Sequence, residues 1–376
     1  MNSEKIDEKY QRQIILKGFG KAGQDKLSQA KVLVIGAGGL GCPALQYLAA
    51  AGVGIIGIVD LDVVDLSNLH RQILFTVDDI GKPKAQTAAS RLQRLNPDIE
   101  IKVYPFQLTN TNALEIFTDY DMVIDGSDNY ATRYLINDAC VLLNKPLVYG
   151  AVLRFEGQVG VFNFENSETK IKTNYRDLFP KPPDAASSLS CNDAGVLGVL
   201  PGIIGTMQAT EAIKIITGIG KPLCNKIISY NSLENSFYKF NISPNAKATE
   251  LIPKDFAAFK SYNYEWFCNA FYDSEINSEE FDAIRLSTSI SIIDVREKEE
   301  LPVIDEFPVT NIPLSIFKEA DSTYFTENTV VLLCQSGKRS LTALKIMKEK
   351  FPKLKLYSLK GGILAWKINQ RISHYE

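Results

Sequence analysis

Lys31-Val-Leu-Val-Ile35-Gly36-Ala-Gly38-Gly39-Leu-Gly41 is the stretch that decides the fold. Its apolar start predicts a buried strand, and the glycines predict a turn that opens a helix from Leu40 to Ala51. Ile55 to Asp60 has the pattern of a second strand, which ends on a carboxylate. A strand, a glycine turn, a helix and another strand form a βαβ unit, which is typical of a parallel sheet.

The alternation of strands and helices continues along the chain. We predict helices over Lys84–Leu95 and about Tyr130–Leu143, and strands over Ile99–Tyr104 and Asp121–Asp125. The apolar stretch from Gly195 to Thr217, rich in small residues, predicts a core helix or a pair of helices. The fold class is therefore α/β, with a Rossmann-like, mostly parallel, doubly wound sheet.

A second α/β pattern begins later in the chain. Residues 241–276 mix Pro, Lys, Ser and Asn with aromatic residues, and we interpret them as a linker that docks on a domain. Beyond it, Ser289–Val295 and Thr329–Cys334 predict strands, and about Arg339–Lys350 predicts a helix. The predicted domains are residues 1–240 and a smaller α/β domain over residues 277–376.

Composition excludes several classes of function. The net charge of −3 over 376 residues gives no electrostatic argument for binding nucleic acid or anionic lipid. The N-terminus is polar, and no apolar run reaches the roughly 20 residues of a membrane span, so we expect a cytoplasmic protein. The six cysteines are dispersed without a C-x-x-C pair, which argues against disulfides and a zinc site.

The glycine turn predicts a nucleotide site. Gly36, Gly38, Gly39 and Gly41 let the backbone approach phosphates at a helix N-terminus, which supplies N–H donors. Asp60 ends the next strand, where a carboxylate can bind ribose hydroxyls.

Residues farther along favour triphosphate chemistry. Asp60 is followed within a few residues by Arg71 and Gln72, and then by Lys84 and the segment from Asp125 to Asn129. Arg71 and Lys84 are candidates to hold a triphosphate, and Asp128 to hold Mg²⁺, which takes oxygen ligands. Each alone has the character of a solvated loop residue, but together they predict a MgATP site.

An ordered set of motifs resembles a known family. Residues 5–240 are similar to the ThiF/MoeB/HesA adenylyltransferases, which resemble ubiquitin-activating enzymes. The motifs are Tyr10-Gln-Arg12-Gln13-Ile, the Gly36 loop, Asp60-Leu-Asp62, Ser67-Asn68-Leu-His-Arg71-Gln72, Gly81-Lys-Pro-Lys84, Asp125-Gly-Ser-Asp128-Asn129, Arg154-Phe-Glu-Gly157-Gln158 and Cys191-Asn-Asp-Ala-Gly195-Val-Leu-Gly198.

This resemblance implies roles for individual residues. It implies a homodimer in which Arg12 reaches the ATP bound by the neighbouring subunit. It assigns Asp60 to the ribose, Asp128 to magnesium, and three residues to the phosphates, namely Asn68, Arg71 and Lys84. Asp62, Gln72 and Asn129 belong to the same motifs and are further candidates for nucleotide binding. The implied substrate is the C-terminal Gly-Gly of a ubiquitin-like sulfur carrier, which becomes an acyl-adenylate.

The sequence departs from the family in two places. Many relatives carry two C-x-x-C pairs for zinc, but Asn174-Tyr-Arg-Asp177 occupies the place of the first, and the second is missing beyond Phe240. We therefore expect folding without zinc. His70 stands where relatives often have glutamine, and we interpret it as a surface variant instead of a catalytic base.

A second chemical motif lies near the C-terminus. Val330-Val-Leu-Leu-Cys334-Gln-Ser-Gly337-Lys338-Arg339-Ser340 predicts a strand, a thiol, a polar loop and a helix start. The helix dipole with Lys338 and Arg339 would favour the thiolate of Cys334. The loop is one residue shorter than the phosphatase-type cysteine loop.

Residues from about 277 to 376 resemble a rhodanese domain. The matching motifs are Asp294-Val-Arg296-Glu297, Asn311-Ile-Pro313-Leu, the Cys334 loop and Leu359-Lys-Gly-Gly362-Ile-Leu-Ala-Trp366. The resemblance implies that Cys334 carries a persulfide and passes its sulfur to the adenylated carrier, giving a thiocarboxylate. A cysteine desulfurase or thiosulfate would be the sulfur donor. In relatives a cysteine at the place of Cys191 can bond to the activated carrier.

Two other classes of function stay open. One is a nicotinamide-dependent oxidoreductase with an appended phosphatase-like domain, and the set of Arg71, Lys84 and Asp128 argues against it. The other is a protein that binds a ubiquitin-like partner without catalysis. The sequence leaves open whether a carrier serves molybdopterin or thiamine synthesis, tRNA thiolation or another pathway.

Overall fold

The computed structural model describes residues 3–182, 195–264, 274–287, 289–317, 325, 327, 329–351 and 354–372. These residues divide into two compact units, of which the first ends at Tyr264 and the second contains the described residues from 274 onward. Both are α/β, and the first has a mostly parallel sheet, so the predicted fold class is confirmed.

An eight-stranded sheet organises the first unit, in the order β3-β2-β1-β4-β5-β6-β7-β8. The strands from β3 to β5 in this order pair in parallel, whereas β5 to β8 pair antiparallel. The strands are β1 (Lys31–Ile35), β2 (Ile55–Val59), β3 (Glu100–Tyr104), β4 (Met122–Asp125), β5 (Leu147–Leu153), β6 (Glu156–Phe162), β7 (Lys226–Asn231) and β8 (Ser236–Asn241).

Helices pack on this sheet and short ones lie at its margins. They are α1 (Ser3–Ile14), α2 (Gly20–Gln29), α3 (Gly41–Ala51), α4 (Lys84–Leu95), α5 (Ala113–Thr118), α6 (Tyr130–Leu142), α7 (Tyr175–Leu178), α8 (Val199–Thr217), α9 (Ala246–Thr249) and α10 (Phe256–Ser261). Short 3-10 turns cover Leu66–Asn68 and Val77–Asp79.

The central strand is buried on both faces. Val32, Leu33 and Val34 of β1 are 0% exposed, as expected for a parallel strand covered by helices on each side. Helices α3 and α8 pack against each other, and α8 also packs on β5 and β6. The apolar composition that predicted β1 therefore reflects this two-sided burial.

Two predicted segments differ in detail from the structure. The apolar stretch from Gly195 forms one helix that starts at Val199, because Gly195 and Leu197 hydrogen bond to the backbone of Arg154. Residues 241–264 of the predicted linker pack within the first unit. Tyr264 donates a 2.9 Å hydrogen bond to Oδ2 of the fully buried Asp138.

The second unit has a five-stranded sheet in the order β11-β10-β12-β13-β9, with parallel pairing throughout. Its strands are β9 (Glu275–Ile276), β10 (Ser291–Asp294), β11 (Thr310–Asn311), β12 (Thr329–Leu333) and β13 (Lys355–Leu359). Its helices are α11 (Ser278–Ser287), α12 (Lys338–Lys350) and α13 (Gly362–Ile372).

Hydrophobic clusters cover both faces of this smaller sheet. Val330 and Leu332 pack with Leu344 of α12, whereas Val331 and Leu333 pack with Trp366 of α13. Alternate residues of β12 thus point into different clusters, as the period of a strand requires. Within the described parts of both units, no helix is long and apolar enough to cross a bilayer.

Candidate active site

The first candidate site lies where the strand order reverses. Strands β1 and β4 are neighbours, but the chain continues from β1 to β2 on one side and from β4 to β5 on the other. The loops after them touch, because the N–H of Gly126 donates to the carbonyl of Ile35 at 2.9 Å. A crevice at the carboxyl ends of the strands follows from this arrangement, and ligands bind in such crevices.

The glycines of the loop after β1 have different physical roles. Gly36 has φ +89°, and a Cβ there would lie 2.9 Å from the carbonyl oxygen of Gly126. A Cβ on Gly41 would lie 1.8 Å from the carbonyl oxygen of Gly36, so Gly41 permits the turn itself. Gly38 is open, since a Cβ there would have Nε2 of Gln72, 3.9 Å away, as its nearest neighbour. Its backbone is therefore accessible to a ligand.

A cavity of about 680 Å³ opens at this crevice. Most of the predicted nucleotide-binding residues line it, namely Gly36, Gly38, Gly39, Asp60, Asp62, Arg71, Gln72, Lys84, Asp128 and Asn129. Gly41, Asn68 and Arg12 are predicted site residues that are absent from the described lining. Gly41 lies beneath the loop, and the side-chain amide of Asn68 donates to Oγ of Ser67 at 3.3 Å.

Asp60 joins the glycine loop to the next strand. Its Oδ2 accepts the N–H of Ala37 at 2.7 Å, and its Oδ1 accepts the N–H of Asp62 at 2.8 Å. Burial raises the pKa of this carboxyl group, while these N–H groups and Lys84 act in the opposite direction. Each carboxylate oxygen retains a further lone pair, which can accept a sugar hydroxyl.

Two cationic side chains, those of Lys84 and Arg71, line the cavity and have different partners. The side chain of Lys84 is 7% exposed, and its Nζ pairs at 2.9 Å with Asp62, whose side chain is 69% exposed. Arg71 Nη1 donates to the carbonyl of Ser67 at 3.0 Å and lies 2.8 Å from Nε2 of His70. The exposed His70, interpreted from sequence as a surface variant, thus contacts a candidate phosphate ligand.

Two features of the lining fit a bound nucleotide and a metal ion. Gln72 is 4% exposed, and its Oε1 has no hydrogen-bond partner among the described residues. A buried acceptor of this kind is normally paired with a donor, which a bound nucleotide or a water molecule can supply. Asp128 is exposed at the cavity with no ion pair in the described structure. One carboxylate suffices for Mg²⁺ when phosphate oxygens supply further ligands.

Sequence reasoning missed several residues of the lining. Phe106 and Leu108 follow β3, and Thr132 and Arg133 lie at the start of α6. Arg133 is 8% exposed and donates to the carbonyl of Ser127 at 3.1 Å, which braces the loop that carries Asp128. The residues after β3 could have been predicted from their position in the chain, because β3 ends at the same edge of the sheet as β1 and β2.

Helix α1 presents Arg12 to solvent. The helix is anchored by its neighbours, since Tyr10 accepts a 2.8 Å hydrogen bond from Asn96 and Gln13 donates to the carbonyl of Ala51 at 3.2 Å. Arg12 is exposed, and Ile15 and Leu16 beyond it are 65% and 56% exposed. The anchored helix therefore displays a cation beside apolar side chains.

Hydrogen bonds organise the segment from Asn174 to Asp177. Asn174 and Asp177 form a reciprocal capping box around α7. Oδ1 of Asp177 also accepts the N–H of Asn245 at 2.8 Å, which connects this segment to the chain beyond β8. Among the described residues no group of three or more His, Cys, Asp or Glu could hold a metal.

The second candidate site is the Cys334 loop. Cys334 follows β12, and the loop enters α12 through Gly337, whose φ of +87° suits glycine. The thiol is 1% exposed, with Sγ 3.6 Å from Oγ of Ser340. The N–H of Ile363 donates to the carbonyl of Cys334 at 2.8 Å. A Cβ on Gly362 would lie 2.3 Å from that carbonyl oxygen, so glycine allows α13 to approach the loop.

Arg339, one of the two cations that the sequence analysis placed at this loop, has a carboxylate partner. It forms a two-pronged ion pair with Glu300, with Nη2 2.6 Å from Oε2. This pairing lowers the pKa of Glu300 to about 2 and offsets the charge of Arg339 near Cys334. Lys338 remains exposed at the start of α12.

The other cysteines have separate environments. Cys191 lies outside the described residues. Cys42, Cys140 and Cys224 are buried free thiols whose pKa values burial raises, to about 12 for Cys42. Burial and raised pKa values make these three thiols poor nucleophiles.

The fold and these sites define a two-unit α/β enzyme with a nucleotide-type cavity and a separate cysteine loop. Residues 10–251 match the ThiF family. A "Sulfur carrier protein adenylyltransferase" of Thermus thermophilus is 52% identical over 65% of this chain and 90% of its own length. A "Probable adenylyltransferase/sulfurtransferase MoeZ" of Mycobacterium tuberculosis is 41% identical over 95% of this chain and 92% of its own.

The chain belongs to the ThiF family, and it is an adenylyltransferase and sulfurtransferase. The predicted resemblance is thereby confirmed. A crystal structure of E. coli MccB with ATP matches 60% of this chain and 67% of its own, with a TM-score of 0.51 and 23% identity. That likeness concerns the fold alone.

Proposed function

We propose that this enzyme uses MgATP to adenylate the C-terminal glycine of a ubiquitin-like sulfur carrier and then transfers sulfur from a persulfide on Cys334 to give a thiocarboxylate. The observation that carries the proposal is the shared lining of one cavity by Asp60, Arg71, Lys84 and Asp128, in a chain that also holds the Cys334 loop.

The cavity residues have different roles in adenylation. Asp60 accepts ribose hydroxyls, and the glycine loop supplies N–H groups to phosphates. Arg71 and Lys84 neutralise the charge that develops as pyrophosphate leaves. Asp128 would hold Mg²⁺, which offsets phosphate charge when bound. Lys84 exchanges its pairing with the exposed Asp62 for a phosphate oxygen, and a nearly buried ammonium group interacts strongly with that oxygen.

Sulfur transfer requires a nucleophile at Cys334. The terminal persulfide sulfur attacks the carbonyl carbon of the acyl-adenylate, and AMP departs with the bonding electron pair. A second thiolate then attacks Sγ of Cys334 and forms a disulfide with it, which releases the thiocarboxylate on the carrier. A thiol reductant of the cell reduces that disulfide and restores Cys334. Cys191 is the candidate for that thiolate or for a covalent bond to the activated carrier. A cysteine desulfurase or thiosulfate would supply the sulfur.

A homodimer would complete the nucleotide site. Arg12 is exposed on an anchored helix beside the apolar Ile15 and Leu16. Near the cavity, Leu61 and Leu66 are also 60% and 66% exposed. Apolar side chains in this number favour burial against another protein surface. We propose that a second copy covers them and receives Arg12 at its nucleotide.

The edge of the first sheet supports a protein substrate. Strand β8 is an edge strand, and Phe237, Tyr238 and Phe240 on it are 59%, 53% and 54% exposed. An unpaired edge with exposed aromatic side chains can bind a protein by strand addition or apolar contact.

The free thiols among the described cysteines fit a cytoplasmic enzyme, since such thiols persist in a reducing compartment.

ATP–pyrophosphate exchange tests the proposal. Exchange should require Mg²⁺ and one of the small Gly-Gly proteins of the same cell, and it should vanish when the carrier lacks its terminal glycine. An exchange rate that no carrier changes would refute carrier adenylation. A nicotinamide-dependent oxidoreductase would show no exchange, and a non-catalytic binder would retain the carrier without exchange. The responding carrier also identifies the pathway.

A further inference from the structure

Four exposed apolar side chains lie beside the Cys334 loop in the second unit. Leu301 and Val303 are 70% and 65% exposed, and Leu364 and Ile368 are 43% and 60% exposed. We name these four residues the apolar rim. Leu364 and Ile368 are four residues apart on α13 and therefore share one face of that helix.

Polar contacts join the two halves of the apolar rim to each other. Lys367 of α13 donates to the carbonyl of Val303 at 2.9 Å and pairs with Glu306 at 2.7 Å. Residues 301–306 thus lie along the helix that carries Leu364 and Ile368. The rim is therefore built from two segments that Lys367 connects.

The same segments contact the loop of Cys334. The N–H of Leu364 donates to the carbonyl of Gln335 at 3.2 Å, next to the contact between Ile363 and the carbonyl of Cys334. On the other side, Glu300 precedes Leu301 and holds Arg339 of the loop in the two-pronged ion pair. The apolar rim therefore borders the loop from both segments.

We propose that the apolar rim is the docking surface for the sulfur carrier while its C-terminal tail receives sulfur from Cys334. The inference rests on the proposed role of Cys334 as the persulfide residue. A small anion such as thiosulfate gains nothing from exposed leucine, valine and isoleucine. A protein that covers them removes apolar surface from water, which stabilises a complex.

The order of the reaction selects the carrier as the occupant. Cys334 is 1% exposed, so only a thin extended tail can bring an acyl group to its sulfur. The folded body of the carrier then rests outside the loop, where the apolar rim lies. A carrier must come to Cys334 in each turnover, whereas a small molecule can serve as the donor.

The test uses the full chain with Leu301→Gln, Ile368→Gln and the double variant. Leu286→Gln is the matched control, because Leu286 is 75% exposed on α11 of the same unit. Each protein is loaded at Cys334 with thiosulfate, freed of excess donor and mixed with ATP, Mg²⁺ and carrier. Mass spectrometry then follows thiocarboxylate formation in a single turnover.

We expect the double variant to transfer sulfur to the carrier about tenfold more slowly, as truncated interface anchors do. Its thiosulfate:cyanide activity and its carrier-dependent pyrophosphate exchange should match those of wild type and of Leu286→Gln. An unchanged single-turnover rate would overturn the docking surface. A parallel loss of cyanide activity would also overturn it, since the rim would then shape the loop.

Two further outcomes separate this inference from the proposed function. Slower loading from a protein persulfide, with normal transfer to the carrier, would assign the rim to the donor and reject the carrier. Absence of exchange and of thiocarboxylate in the wild-type protein would refute the proposed function itself, whatever the variants do.

Discussion

The N–H of Ala37 donates a 2.7 Å hydrogen bond to Oδ2 of Asp60. This bond joins the glycine loop after β1 to the end of β2, so the candidate phosphate-binding and ribose-binding groups are one connected unit. The other carboxylate oxygen of Asp60, Oδ1, accepts the N–H of Asp62, whose side chain pairs with Lys84. A change at Asp60 therefore affects both the ligand and the loop.

Asp60→Asn should raise the KM for ATP in pyrophosphate exchange by about tenfold, which corresponds to roughly 1.4 kcal/mol. The N–H groups of Ala37 and Asp62 bond to different oxygens of Asp60, and in asparagine one of these positions is an NH2 group that cannot accept. Asp121→Asn is the matched control, because Asp121 accepts the N–H of Lys31 at 2.8 Å at the opposite end of β1. Equal effects of the two variants on KM would contradict a ribose role.

Asp128→Ala should abolish carrier-dependent pyrophosphate exchange, because a bound metal offsets charge on the phosphates during transfer. The fold should survive, since the side chain is exposed at the cavity. Asp119→Ala, another exposed aspartate of this unit, should exchange normally. Near-normal exchange by the Asp128 variant at ordinary magnesium concentrations would remove the magnesium assignment.

Arg12→Ala should reduce exchange about a hundredfold if it reaches the neighbouring nucleotide, as loss of one charge-stabilising donor does. The variant should keep its thermal stability because the side chain is exposed. Mixed dimers of Arg12→Ala and Asp128→Ala subunits contain one intact site and should recover part of the activity. Verified mixed dimers without recovery would show that the site is not shared.

Cys334→Ala should separate the half-reactions. Exchange should stay near wild type, whereas sulfur transfer from thiosulfate or a persulfide donor to cyanide should be lost. Thiocarboxylate formation should fall too, unless free sulfide is supplied. Cys191→Ala should leave the cyanide assay intact. Mass spectrometry after donor treatment should place one added sulfur on the peptide with Cys334, and its presence on Cys191 alone would reverse the assignment.

Glu300→Gln should lower the stability of the second unit in a pH-dependent way. The pairing with Arg339 lowers the pKa of Glu300 to about 2. A depressed carboxyl pKa stabilises the fold above the ordinary value of about 4.3, and this contribution disappears as the pH falls towards 2. Urea unfolding, followed by the fluorescence of Trp366 in a Trp266→Phe background, should therefore distinguish the variant from wild type at pH 7 and less clearly at pH 3. An equal gap at both values would argue against the ion pair.

Local chemistry made the fold of the first unit predictable. The apolar run of β1, the glycines after it and the end of β2 on Asp60 need no distant information, because each follows from backbone sterics and periodicity. The start of α8 was less predictable. Gly195 and Leu197 pair with the backbone of Arg154 from a distant hairpin, and that long-range contact delays the helix until Val199.

The candidate site was predictable where a glycine-rich or charged sequence motif marks its residues. Arg71, Lys84 and Asp128 stand out by residue type, whereas Phe106 and Arg133 enter the lining because β3 ends and α6 begins at the same edge of the sheet. The ion pairing of Arg339 also depends on a residue that is distant in the sequence. Glu300 offsets its charge, and no local pattern predicts that pairing.

The sequence by itself determined the α/β class, the βαβ unit that starts at Lys31 and the separate cysteine loop at Cys334, because these depend on local periodicity and turn chemistry. Tertiary structure alone decided which groups meet around the cavity and which cations stay unpaired. It also brought Leu301 and Val303 beside Leu364 and Ile368. Such relations depend on the parallel pairing of strands distant in sequence, which brings their carboxyl ends to one edge of a sheet.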